Sequence, residues 1–137
     1  MENFLTTEYV KDRIYELLLP VNKPIHLSTR PTLLPGSSAE PECIVINTLP
    51  IGRGVMQKCI VNVNYHVSDI AKGVPDSAKL QAVSDQIIGI LKEYTSINVA
   101  PDPSYLIDIE GQETIREQNQ VEHFSNLRFS FKLINNN

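Results

Sequence analysis

His66 and Asp69, three residues apart in the segment YHVSD, have the side chains of a general base and its orienting acid. A histidine held by a carboxylate is the centre of many acid–base and nucleophile-activating sites. Strand geometry works against the pair, because residues three apart point to opposite faces of a sheet. No serine or cysteine nucleophile stands in a recognisable context beside it. A solvated surface is the favoured reading of His66, and an enzyme using His66 and Asp69 the lesser alternative. His26 and His123 are isolated in sequence and have no metal-ligand spacing. Asp108 and Glu110 lie on the polar side of an amphipathic segment, which reads as a wet face rather than an acid–base pair. The GRG of PIGRG lacks the strand–glycine–helix context of a phosphate loop and reads as a turn. Cys43 and Cys59 sit in apolar, strand-like runs without CxxC spacing, so buried free thiols are favoured over a disulfide, and a metal site is less favoured still. No cofactor is expected.

Two other features invite a role in contacts. Asn62, Asn64, His66 and Ser68 form a neutral polar row that suits a sugar or a subunit interface, although an ordinary exposed sheet face gives the same pattern. The loop from Arg30 to Pro41 holds Pro31, Pro35 and Pro41, which fix φ and stiffen it before any partner arrives. Leu33 and Leu34 sit between those prolines beside a PGSS turn expected at the surface. Two fates remain open for this apolar pair: burial by a neighbouring subunit, or folding back over the sheet edge of its own domain. Arg30, Pro31, Leu33, Leu34, Pro35, Asn62, Asn64 and His66 are the candidate contact residues.

The elements that would position these residues follow from periodicity. Val10, Ile14, Leu17 and Leu18 recur at helical spacing between Thr7 and Leu19, ahead of Pro20. Ile25 to Thr29 suits a short strand. Glu42 to Leu49 suits a second strand, apolar on both faces and therefore central in a sheet. Cys59, Val61, Val63, Tyr65 and Val67 alternate with polar residues in a third strand that should pair antiparallel with the second. A second helix is expected from Ser77 to Tyr94, capped by Asp76 or Ser77, with Leu80, Val83, Ile87, Leu91 and Tyr94 inward. Tyr105, Ile107 and Ile109 predict a fourth strand with a bulge at Gly111. Val121 to Ile134 gives a fifth, with Leu127, Phe129, Phe131 and Leu133 opposing Asn126, Arg128, Ser130 and Lys132. The order α-β-β-β-α-β-β implies an α+β fold, a largely antiparallel sheet of four to five strands with two helices packed on one face.

A chain of 137 residues suits one domain, 1–137, with 30–41 as a proline-rich surface loop and a disordered tail at 135–137. A net charge of −4 and scattered basic residues argue against sequence-specific nucleic-acid binding. No apolar run reaches the roughly 18 residues of a membrane span, and the N-terminus lacks a signal peptide's apolar core. A soluble protein made in the cytosol is expected.

One family fits this order together with its particular loop. Ile25-His26-Leu27-Ser28-Thr29-Arg30-Pro31 is a short strand leading to a basic residue and a proline, and Pro41-Glu42-Cys43-Ile44-Val45-Ile46 carries the loop into a β-branched strand. Ile60 to Asp69 is an alternating strand ending in an acid, and Ala82-Val83-Ser84-Asp85-Gln86-Ile87-Ile88 a helix with a central aspartate. Leu127 to Leu133 is the closing apolar strand. In these patterns the chain resembles the tail-completion family of long-tailed phages, which includes tail terminators and related head–tail joining proteins. The resemblance spans nearly the whole chain and implies a structural, non-enzymatic virion or prophage protein. Such a protein would form a ring, commonly of six copies, that caps the tail tube, joins it to the head and lets DNA pass through its lumen. Its implied partners are further copies of itself and the tail-tube and head-completion proteins, in the host cytoplasm during assembly and then in the virion tail. A subunit or adaptor of another tail-like or secretion machine is the alternative.

Overall fold

A computed structural model of the chain describes residues 6–29, 42–51, 58–94, 105–117 and 121–133. The proline-rich loop 30–41, with Arg30, Pro31, Leu33, Leu34 and Pro35, lies outside the described residues, as do most of the PIGRG turn and the 135–137 tail. The elements run α1 (Thr7–Leu18), β1 (Ile25–Leu27), β2 (Cys43–Thr48), β3 (Lys58–Ser68), α2 (Ser77–Leu91), β4 (Tyr105–Arg116) and β5 (Glu122–Leu133), with a 3-10 turn after each helix. This is the expected α+β order.

The helices form where capping and apolar periodicity agree. The Thr6 hydroxyl accepts from the Tyr9 amide to open α1, and the Asp76 carboxylate accepts from the Lys79 amide to open α2. Pro20 falls inside the 3-10 turn that ends the first helical segment, where its missing N–H breaks the α-helical ladder. Val10, Ile14 and Leu18 of α1 and Leu80, Val83, Ile87 and Leu91 of α2 are buried.

The sheet order is β1-β2-β3-β5-β4. β1 runs parallel to β2 and every other pairing is antiparallel. The expected β2–β3 pairing is present, but β3 also pairs with β5 along its whole length, which leaves β4 at the edge. Register assigns the faces. Ile44, Tyr65 and Ser125 share one row, Ile46, Val63 and Leu127 the next, and Val61 and Phe129 the one after. These rows, with Cys59, Tyr105, Ile107 and Phe131, join the buried residues of both helices in one core. Both described helices therefore pack on one face of the sheet, and among the described residues no helix lies on the other.

Ile109 departs from its expected inward burial, being 47% exposed. The register of β4 on β5 slips between Ile109 and Gly111, with Glu110 the extra residue, beside the glycine where the bulge was expected. Beyond the bulge Gln112 and Thr114, paired with Leu127 and Ser125, are exposed as well.

Candidate functional site

The sheet face turned away from α1 and α2 carries the polar residues singled out from sequence; of its residues Cys43, Val45, Asn62 and His66 are buried. Pairing places Asn47, Asn62, Arg128 and Gly111 in one row, Val45, Asn64, Asn126 and Glu113 in the next, and Cys43, His66, Phe124 and Ile115 in a third. Asn62 and Asn64 are thus brought together with two residues of the last strand and one of β2.

Their side chains form a directed network. The Asn62 amide donates to Asn47 Oδ1 at 3.1 Å. The Asn126 amide donates to Asn62 Oδ1 at 3.2 Å and to Asn64 Oδ1 at 2.6 Å. Arg128 Nε donates to Asn62 Oδ1 at 3.3 Å. Three amide oxygens are thereby engaged within the face. The side-chain N–H groups of Asn47 and Asn64 and the terminal nitrogens of Arg128 donate to none of the described residues. Asn62 is buried, Asn47, Asn64 and Asn126 are half-buried, and Arg128 is exposed. Gly111, across from Arg128 at the bulge, has open space where a side chain would stand.

His66 corrects its expected solvation, being only 6% exposed. Its ring stacks on Phe124 with centroids 4.6 Å apart. Nδ1 lies 2.9 Å from Glu122 Oε1 and 3.7 Å from Glu117 Oε2. Asp69 is instead 2.6 Å from His123 Nδ1, with its own side chain 1% exposed. His66 faces the side turned away from the helices, whereas His123 sits across from the core residue Val67. The His66–Asp69 pair is therefore not formed. Each residue ties β3 or its end to the start of β5 through a different partner. Neither Glu122 nor His123 was legible as a partner, because no local spacing encodes the β3–β5 register.

A second concavity, of about 330 Å³, opens between α2 and the outer half of β4 and is lined by Ser77, Gln81, Asp85, Ile88, Gln112 and Thr114. Beneath it the Ser84 hydroxyl bonds to that of Ser125 at 2.8 Å, and the Gln112 amide donates to Ser125 at 3.1 Å. Asp85 accepts both contacts of the Gln81 amide, at 2.9 and 3.0 Å.

Cys43 and Cys59 are buried free thiols. Burial, only partly offset by a hydrogen bond with Thr48, pushes the Cys59 thiol up to about 11, which keeps it protonated and unreactive. Asp108 and Glu110 stand 3.7 Å from Lys132 and 3.9 Å from Lys58 respectively, each a loose surface ion pair. Among the described residues no cluster of three His, Cys, Asp or Glu side chains suits a metal ion, and no helix is long and apolar enough to cross a membrane.

No protein-family model matches the sequence, and no curated protein matches it significantly.

Proposed function

We propose that this chain is a structural subunit of a long-tailed phage or prophage, one that closes into a ring at the end of the tail tube and joins it to the head. The observation that carries the reading is the two-layer α-β-β-β-α-β-β fold, the order expected of the tail-completion family, with both described helices on one face of the sheet. The other face bears a polar network, and its donor groups without an acceptor among the described residues suit a neighbouring subunit. The separate partners of His66 and Asp69 favour this reading over an enzyme that uses them as a pair.

Electron microscopy of the purified chain, at high concentration and after addition to assembled tail tubes, tests the proposal. Annular particles and capped tube ends are expected. Monomers in the first sample together with unaltered tube ends in the second would overturn it.

A further inference from the structure

We infer that the sheet face turned away from α1 and α2 receives, around the exposed Arg128, the outer surface of α1 from a second copy of this chain, with Asp12 of one copy meeting Arg128 of the next. The inference deepens the ring reading and rests on it for the statement that the contacts close.

The centre of this face, around Arg128, offers hydrogen-bond donors. The side-chain oxygens of Asn47, Asn62 and Asn64 are already acceptors within the face, whereas the amide N–H groups of Asn47 and Asn64 and the terminal nitrogens of Arg128 have no acceptor among the described residues. Arginine presents its N–H groups in a planar fork that matches a carboxylate. Arg128 is the one Lys or Arg in the three central rows, and Glu113 on the edge strand the one acid. Asparagine amides and a guanidinium with unused hydrogens select a partner that brings acceptors, above all carboxylates.

The helix surface supplies them. Val10, Ile14 and Leu18 point α1 into the core, so positions 8, 12, 15 and 19 fall on the opposite side at helical spacing. Those residues are Glu8, Asp12, Tyr15 and Leu19, and all four are exposed. Glu8 is 3.0 Å from Lys11, and the neighbouring Glu16 is 3.0 Å from Arg13. Asp12 makes no ion pair with the described residues and is the acid left for an outside cation. Tyr15 and Leu19, 38% and 53% exposed, give the same stripe apolar surface to bury.

Position settles how copies would associate. In a two-layer molecule the outward side of α1 and the sheet face turned away from the helices lie on opposite sides. A contact between them is heterologous: each copy offers its helix to one neighbour and its sheet to another. Such contacts repeat into a ring when the rotation closes and into a filament when it does not. The docked helix would also cover the sheet around Arg128, on the face turned away from α1 and α2.

Reciprocal charge reversal tests this. Asp12→Arg and Arg128→Glu are prepared separately and together, and thermal unfolding is recorded for each. Self-association is followed by sedimentation across concentration. Each single variant should weaken association by about tenfold or more. An equimolar mixture of the two should restore it, because every helix–sheet contact in an alternating assembly is then complementary, and the double variant should restore it alone. Asp12→Arg keeps the inference testable if Arg128→Glu fails to fold, since Asp12 holds nothing within the described fold. Unchanged association of a folded single variant overturns the inference, as does failure of the mixture of folded variants to recover. A wild-type chain that rings only on tube ends also overturns it while leaving the proposed function standing. Rings that ignore the charge reversals separate the two in the same way.

Discussion

Among individual residues, His66 shows how far a single position can depart from its apparent sequence context. It alternates with asparagines and a serine and so reads as wet. The third strand to its side, β5, brings Phe124 over the ring and Glu122 to its Nδ1. Truncating the buried ring removes both its stacking on Phe124 and its hydrogen bond to Glu122, so His66→Ala should cost about 2–4 kcal/mol in chemical denaturation. A cost within about 0.5 kcal/mol, typical of surface positions, would return His66 to the solvated class. Glu42 presents a different electrostatic balance. Burial alone would raise its carboxyl, but hydrogen bonds from Lys23 and from Tyr65 at 2.7 Å, with the charges of Lys23 and Lys79, outweigh burial and hold it below its ordinary value. A depressed carboxylate contributes stability above its unfolded value and loses that contribution as pH falls through the lower folded value. Unfolding free energies of the wild type and Glu42→Gln should accordingly differ most near neutrality and converge in strong acid. Parallel curves at all pH values would remove Glu42 from the acid-sensitive groups.

At the level of elements, legibility depended on whether a signal was local. The helical stripes, the caps and the alternation of β3 are written in neighbouring residues, and the elements appear within a few residues of where that pattern puts them. Gly111 likewise signalled a bulge, although the extra residue is Glu110. What local patterns lack is which strands touch. The pairing of β3 with β5 joins residues more than 50 positions apart, such as His66 with Phe124, and the polar network exists only because of that register. The bulge has a separate consequence. Charged residues and bulges on an edge strand discourage pairing with other chains, and β4 carries Asp108, Glu110 and Glu113 around its irregularity. Since Ile109 pairs with Phe129 and Gly111 with Arg128, deleting Glu110 leaves both halves of β4 in register while removing the interruption. The deletion variant should fold with a similar circular-dichroism spectrum but scatter more light on concentration, through edge pairing. A variant that unfolds outright would show that the bulge is required for the β4–β5 hairpin itself.

For the whole molecule, the arrangement of layers determines where stability is concentrated. β3 and β5 are flanked by strands on both sides and covered by α2, and their inward residues Val61, Val63, Tyr65, Leu127 and Phe131 are fully buried. β4 is paired on one side, and past Glu110 a concavity opens between it and α2, so Gln112 to Thr114 combine an edge position with exposed side chains. Local opening is easiest where buried apolar contacts are few and backbone bonds meet solvent. Native-state hydrogen exchange should therefore show β3 and β5 amides exchanging only through global unfolding, while ladder amides between Gln112 and Arg116 exchange through a smaller opening that depends little on denaturant. The contrast follows from the way two helices pack on a five-stranded sheet, close over β3 and β5 but separated by a concavity from the outer half of β4. Equal protection of β4 and β3 in the isolated chain would mean that the outer half of β4 is held by more than its pairing with β5.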